Sequence, residues 1–398
     1  MLNSRLEGLR DYPFQRLANL IGEHPPHSNL APIDLSVGEP RRQPPAFVAE
    51  MIEAKRDSWN RYPPVNGTVE FRAACANWLT RRYGLPDAMV DPETMIAPCA
   101  GTREGLYMAA TIAVSPVKGA PAPLALMPNP FYQVYVGASV LAGAEPVFLP
   151  ASRQSGFLPD LDALEPALLD RTALFYLCSP ANPQGAVASL EYWKRLLALA
   201  RRHDFLLVAD ECYAEIYSTD HAPAGALEAA VALGGSLDNL LVCHTLSKRS
   251  SAPGLRSGFT AGSPHAINLM RRLRTYACAA TPFATLAAAT ALWGEEEHVV
   301  KTRAEYRAKF DIAEKLLAGR FGFYRPEGGF YLWLDVGDGE AATRRLWSQA
   351  GVKVLPGAYL TRHDGSGPNP NQGYIRIALV EDIEKTQDAL ARLIGVLQ

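Results

Sequence analysis

The sequence predicts an α/β fold with a mostly parallel central sheet, on three observations. Phe205–Ala209 is a continuous apolar run, the pattern of a parallel strand buried on both faces, and it ends in Asp210-Glu211-Cys212-Tyr213. A second apolar run, Ala173–Cys178, passes into the turn-rich Ser179-Pro180-Ala181-Asn182-Pro183-Gln184-Gly185. A third, Asn239–Cys243, stops just before a polar stretch around Lys248, and Val136–Leu149 repeats the helix-then-strand rhythm.

The bulk figures set the frame. A chain of 398 residues predicts two domains around a sizeable core, and 48% apolar with 20% charged residues fits a soluble globular protein. Lys plus Arg number 39 against 41 Asp plus Glu, a net charge of −2, which gives no electrostatic case for nucleic acid or an anionic membrane as partner. The pairs Arg81-Arg82, Arg201-Arg202 and Arg271-Arg272 read as solvated helix faces. The six cysteines are widely spaced without a C-x-x-C, which argues against a metal site or a disulfide framework and for a reducing cytoplasm. The opening M-L-N-S-R-L-E-G-L-R lacks a signal-peptide core, and the longest small-apolar run, near Phe283–Trp293, is too short to span a bilayer. A cytoplasmic protein is expected.

Taken in order, residues 1–30 read as a short helix and a connector broken at His24-Pro25-Pro26-His27. Ile33–Val37 is a strand entering the turn Gly38-Glu39-Pro40. Residues 46–58 form a helix, Arg61–Gly67 an exposed loop carrying Tyr62, and Thr68–Tyr83 a second helix. At Ala97–Leu106 a strand gives way to a helix, and the small residues Ala100, Gly101 and Thr102 leave backbone N–H groups free for an anion at the helix N-terminus, although Thr102 serves equally as a plain N-cap. Leu124–Met127 is a buried strand running into Pro128-Asn129-Pro130-Phe131-Tyr132. Beyond Phe259 come helical regions at Pro264–Cys278 and Thr281–Phe321. Strands at Gly329–Val336, Gly351–Val354 and Tyr374–Ala378 then alternate with helices at 339–350 and 381–397.

The chemistry centres on Cys243–Phe259. Lys248 stands among Thr245, Ser247, Ser250 and Ser251, and Pro253, Gly254 and Gly258 predict a tight, irregular loop. A lysine at a sheet edge can lose its proton and form a Schiff base with an aldehyde, while the hydroxyls and Arg256 suit a dianionic phosphate. Together they suggest pyridoxal phosphate. Asp210, at the C-terminal end of its strand where open α/β sheets place ligands, is suited to stabilise a protonated pyridine nitrogen. Arg376, on a late strand, can grip an α-carboxylate through two parallel hydrogen bonds.

The pattern S-K-x(5)-G-x-R-x-G at Ser247–Gly258 resembles the lysine signature of the class I and II aminotransferases, pyridoxal-phosphate enzymes of the aspartate-aminotransferase fold (fold type I). Asp210-Glu211-Cys212-Tyr213 keeps that family's D-E-x-Y. Ser179–Gly185 resembles its N-P-x-N-P-T-G with Ser179 and Gln184 as departures, and Tyr62–Arg72 its Y-x(4)-G-x(3)-L-R with Phe71 in place of leucine. The resemblance implies a three-layer α/β/α large domain at residues 45–285 and a small α+β domain from 1–44 and 286–398. It implies a homodimer with shared sites, small amino-acid and 2-oxo-acid substrates, and no metal.

The residue roles it implies are these. Lys248 is the cofactor lysine and proton carrier. Ala100, Gly101, Thr102, Thr245, Ser247 and Arg256 hold the phosphate end, with Tyr62 reaching the neighbouring subunit's phosphate. Tyr132 stacks on the ring, and Asn182 and Tyr213 meet its phenolate oxygen. Gly38, Asn182 and Arg376 meet the substrate carboxylate.

The loop S-K-R-S-x-x-P-G-L-R-S-G-F, the opening Tyr12–Leu17 and the S-V-G-E-P turn are similar to the succinyldiaminopimelate aminotransferases of bacterial lysine biosynthesis, apart from Arg41-Arg42 after the turn. Both substrates would then carry a distal carboxylate, for which Arg41, Arg42 and Arg249 are the candidate cations. Acetylornithine, alanine or aromatic specificity stays open, as does a cysteine-conjugate β-lyase. A non-catalytic binding protein is the remaining alternative, disfavoured by the absence of a basic patch.

Overall fold

The computed structural model describes residues 3–22, 24–27, 29–115, 118, 122–363 and 369–398. Its strands are β1 (Ile33–Asp34), β2 (Ile96–Cys99), β3 (Leu124–Asn129), β4 (Glu145–Pro150), β5 (Thr172–Cys178), β6 (Leu206–Asp210), β7 (Leu240–Thr245), β8 (Gly258–Gly262), β9 (Tyr331–Asp335), β10 (Val352–Lys353), β11 (Leu355–Pro356) and β12 (Tyr374–Ala378). The main sheet has seven strands in the order β2-β8-β7-β6-β5-β3-β4. Only β8 runs against the others, pairing antiparallel with both β2 and β7.

Both faces of this sheet are covered, and the period of two along each strand decides which residue goes where. Phe175, Leu177, Leu207 and Val242 pack on one side with Trp78, Trp193 and Trp293, from helices Val69–Tyr83, Leu190–Arg202 and Phe283–Gly294. Leu174, Tyr176, Val208 and Leu241 face the other side, against Leu106, Tyr135 and Met270 of helices Thr102–Ala113, Gln133–Ala142 and Pro264–Ala277. Double coverage is why the strands read as unbroken apolar runs rather than alternating ones. Several helices begin on a side-chain cap: Thr68 accepts from Phe71 N at 3.2 Å and Ser189 from Tyr192 N at 3.1 Å.

A second core lies around the antiparallel sheet β11-β12-β9 and the parallel pair β1-β10. Helices Glu297–Leu317, Gly339–Ala350 and Ile383–Leu397 pack there, and helix Pro13–Ile21 sets Leu17, Leu20 and Ile21 against Trp333, Leu355 and Tyr359. No helix among the described residues is long and apolar enough to cross a membrane.

Three local expectations are corrected. The start of the chain holds two helices, Ser4–Glu7 and Pro13–Ile21, because Pro13 is a ready-made first helical residue. The helical region expected over Thr281–Phe321 divides into Phe283–Gly294 and Glu297–Leu317, since Glu295 is extended at φ −112° and ψ 132°. The stretch holding Lys248 is ordered as one helical turn, Leu246–Arg249, rather than an irregular loop.

Candidate active site

Strands β5, β6 and β7 end side by side at Cys178, Asp210 and Thr245, facing the smaller sheets. Above them lies a cavity of about 410 Å³. Thr245 closes β7 and opens the next turn, because its Oγ1 accepts from Ser247 N at 3.1 Å. That turn aims Lys248 into the cavity, where Nζ donates to the carbonyl oxygen of Gly38. Burial, which disfavours the ammonium form, brings the Lys248 pKa down to about 8.

Arg249 points the opposite way. Its guanidinium is buried between the rings of Trp78 and Trp293 and donates to Leu292 O at 2.7 Å, Glu295 O at 3.0 Å and the Glu296 carboxylate at 2.6 Å. It does not line the cavity, so its expected place near a substrate's distal carboxylate is corrected. Consecutive residues on a helical turn diverge by about 100°, and only one of the two can face the site. Arg41 and Arg42 do not line it either. They pair with Glu381 at 3.2 Å and Glu305 at 2.8 Å.

Asp210 is 4% exposed. Its carboxylate accepts from Tyr135 OH at 2.6 Å and from Cys212 N at 3.3 Å. Burial pushes its pKa up, and those two hydrogen bonds work against the shift. Tyr135 is fixed in turn by stacking on Tyr176, with ring centroids 4.4 Å apart.

Donors gather at the other end of the cavity. Arg256 sits in the left-handed region at φ 52° and donates to Ala100 O at 2.8 Å and Pro253 O at 2.9 Å. Gly101, at φ 81°, requires glycine for its backbone, and a Cβ there would also come within 2.5 Å of Arg256 Nη2 and displace that guanidinium. Gly101, Thr102, Thr245, Ser247 and Arg256 line the cavity, and the Thr102 hydroxyl lies 2.9 Å from Cys212 Sγ. Ala100 contributes its carbonyl to Arg256 rather than a cavity surface, and the N–H groups expected to be free are taken, that of Ala100 by Glu104 Oε2 at 2.7 Å and that of Gly101 by Cys99 O at 2.8 Å.

The wall towards the small sheets is Arg376. It is 4% exposed, donates to Asn182 Oδ1 at 3.0 Å and Ser36 O at 2.6 Å, and keeps a buried Nε without a partner. Its guanidinium lies 4.5 Å from the ring centroid of Tyr331, whose hydroxyl is 3.0 Å from that of Tyr213. At the mouth, Arg103 donates to Tyr132 OH at 3.0 Å and reaches Tyr12 OH at 3.5 Å.

Neither Tyr331 nor Arg103 belongs to the site residues expected from the sequence. Arg103 stood inside the Gly101-Thr102-Arg103 turn and was legible as the first cation of its helix. No local pattern marks Tyr331. Tyr62 lies outside the cavity and is 99% exposed.

A lysine poised near neutrality, a buried carboxylate at the far end, and a cluster of hydroxyls, helix N-terminus and guanidinium opposite it fit one group: a phosphorylated pyridine aldehyde. The cradle left open by Gly101 fits the same group. The fold and this cavity define a class, the pyridoxal-phosphate enzymes of the aspartate-aminotransferase fold. Residues 31–393 match the family described as aminotransferase class I and II. The chain belongs to that family, and is an aminotransferase that uses pyridoxal phosphate and acts on amino acids and oxo acids.

Its relatives agree. A solved aminotransferase from Neisseria meningitidis Z2491 is similar over 100% of both chains, with a TM-score of 0.93 and 37% identity. An LL-diaminopimelate aminotransferase of Dehalococcoides mccartyi (strain CBDB1) is 31% identical over 99% of this chain and 98% of its own. A probable N-succinyldiaminopimelate aminotransferase from Thermus thermophilus has a TM-score of 0.83 at 25% identity, covering 96% of this chain and 100% of that one.

Proposed function

We propose that this aminotransferase acts in the diaminopimelate branch of lysine biosynthesis, as a succinyldiaminopimelate transaminase. It would convert N-succinyl-LL-2,6-diaminopimelate and 2-oxoglutarate into N-succinyl-2-amino-6-oxopimelate and glutamate. The observation that carries the reading is a cavity guanidinium beyond Arg256 and Arg376: Arg103, exposed at the mouth, apart from the buried Arg376 at the inner wall. A substrate with an α-carboxylate and a distal one meets a guanidinium at each end.

Bound pyridoxal phosphate supplies an aldehyde carbon for Lys248 and an electron-withdrawing ring that makes the substrate Cα proton labile. The chain's own residues do the rest. Thr102, Thr245, Ser247 and Arg256 would hold the phosphate, and Asp210 would keep a proton on the ring nitrogen. Asn182 and Tyr213 would hydrogen-bond the ring oxygen, and Tyr132 would cover the ring. Arg376 holds the α-carboxylate beside the Gly38 backbone, which orients the substrate Cα towards Lys248. Lys248, neutral above pH about 8, would take the Cα proton and deliver it to the former aldehyde carbon of the cofactor.

Tyr62, exposed on one chain, completes the phosphate site of a second copy in a homodimer. The large domain runs past the expected limit at residue 285 to Gly294, because Leu286, Leu292 and Trp293 pack on the main sheet, and 1–44 with 297–398 form the small one, in a cytoplasmic enzyme.

A second reading has support in the relatives' names: LL-diaminopimelate itself as donor, without the succinyl group. The test is kcat/KM for N-succinyl-LL-diaminopimelate against LL-diaminopimelate, each with 2-oxoglutarate. Turnover of the succinylated compound at least about tenfold better supports the proposal. Preference for the free diamine replaces it with the second reading.

A further inference from the structure

Tyr331 stands where three functions of the cavity meet, and none of the roles above uses it. It opens β9 and is 3% exposed. Its hydroxyl is 3.0 Å from Tyr213 OH, and its ring face carries the Arg376 guanidinium at 4.5 Å. It also abuts Gly38, the residue whose carbonyl receives Lys248 Nζ. A Cβ built on Gly38 would fall 1.8 Å from the Tyr331 hydroxyl oxygen and 2.7 Å from its Cζ. Gly38 is not among the positive-φ glycines. Its backbone therefore does not require glycine; the Tyr331 side chain does.

We infer that Tyr331 is a positioning residue of the transamination site: its hydroxyl fixes the direction of the Tyr213 O–H, its ring fixes the plane of Arg376, and Gly38 is glycine to leave it room. The two halves of the side chain act on different partners. The hydroxyl serves the cofactor side through Tyr213, and the ring serves the α-carboxylate side through Arg376. With the Tyr213 O–H spent on the cofactor, as proposed, Tyr331 is the donor of the pair, and its hydrogen bond polarises the Tyr213 O–H towards that acceptor, because linked hydrogen bonds strengthen one another. Packed against Tyr213 and Phe330 at 3% exposure, the ring cannot leave Arg376 without opening a void.

This rests on Tyr213 facing the cofactor and Arg376 facing the substrate carboxylate, as proposed. The experiment compares Tyr331→Phe and Tyr331→Leu with Tyr213→Phe and Arg376→Lys as references. The readouts are the pH titration of the lysine-bound cofactor's visible band and the KM for glutamate.

Tyr331→Phe, which keeps the ring, should move the titration midpoint upward in the direction of Tyr213→Phe and leave KM within about twofold. Tyr331→Leu should move both, raising KM by about tenfold in the direction of Arg376→Lys. Gly38→Ala, which forces the hydroxyl away, should shift the titration as Tyr331→Phe does. If the references move their readouts and Tyr331→Phe leaves the titration at the wild-type midpoint, the positioning role is refuted. Equal KM values in the Phe and Leu variants refute the ring's part. If the references themselves move nothing, the site assignment beneath the inference fails instead.

Discussion

Arg376 donates to Asn182 at 3.0 Å across a sequence separation of 194 residues, joining the end of β5 to β12. The same guanidinium takes Ser36 O from the N-terminal part of the chain. Its orientation thus depends on three distant segments, and its Nε is buried without a partner.

Arg376→Lys should weaken every amino donor alike. An ammonium cannot supply two parallel hydrogen bonds to one carboxylate, and one lost bond to a charged group costs about 1.5–3 kcal/mol. Steady-state kcat/KM should fall by roughly ten- to a hundredfold for glutamate and for the succinylated substrate. A loss confined to one of them would remove the α-carboxylate role.

Lys248→Ala should abolish transamination and the visible absorbance, and borohydride should fix the cofactor on the peptide holding Lys248 in the wild-type protein. The lowered pKa adds a pH signature. The neutral amine is the nucleophile, so the rate at which apoprotein takes up pyridoxal phosphate should rise with pH and level off above about 8. A rise that continues to the ordinary lysine range near 10.4 would mean that Lys248 is not desolvated.

Arg103 and Arg249 should separate cleanly. Arg103→Gln should lower kcat/KM for donors with a distal carboxylate by about tenfold and spare alanine, since one charge-assisted contact is lost. Arg249→Ala should act on stability instead, because it leaves Glu296, the buried Leu292 carbonyl and the half-buried Glu295 carbonyl without their donor. Thermal unfolding and a donor panel on both variants check this, and selective loss of dicarboxylic donors in Arg249→Ala would reverse the assignment.

Tyr62→Phe should weaken cofactor retention if the tyrosine serves a neighbouring subunit, with about 1.5–3 kcal/mol lost for a hydrogen bond to a charged phosphate. Mixing inactive Tyr62 and Lys248 variants should restore part of the activity, because a hybrid dimer holds one intact site. Confirmed subunit exchange with no recovery would leave Tyr62 as a surface residue.

Glu211, beside Asp210 but on the opposite face, accepts from Tyr83 OH and from Ala226 N at 2.8 Å. Burial raises its pKa from 4.5 to about 7. The folded state therefore holds this proton more tightly than the unfolded chain. The stabilisation, about 3 kcal/mol at 1.36 kcal/mol per unit, is complete below pH about 4.5 and lost as pH rises to about 7. Glu211→Gln, neutral throughout, should remove this component. The wild-type advantage over the variant in denaturant titrations should shrink across that window, and a constant difference would contradict the shift.

The sequence by itself determined the α/β class, the strand ends and the residue types of the site. Runs such as Ala173–Cys178 and Phe205–Ala209 are apolar because both sheet faces are covered, and that signal is local. Asp210 and Thr245 were legible for the same reason, since each closes a strand that an apolar run marks, and Lys248 stands three residues past the second of them. Only tertiary structure decided which way Arg249 turns, because the choice between cavity and core depends on Trp78, Trp293 and Glu296, brought in from elsewhere in the chain. It alone joined Arg103 to Tyr12 and Tyr132, and Tyr331 to Tyr213, Gly38 and Arg376. Contacts between side chains far apart in sequence leave no period or spacing to read, and they come into being only when the two cores close on each other.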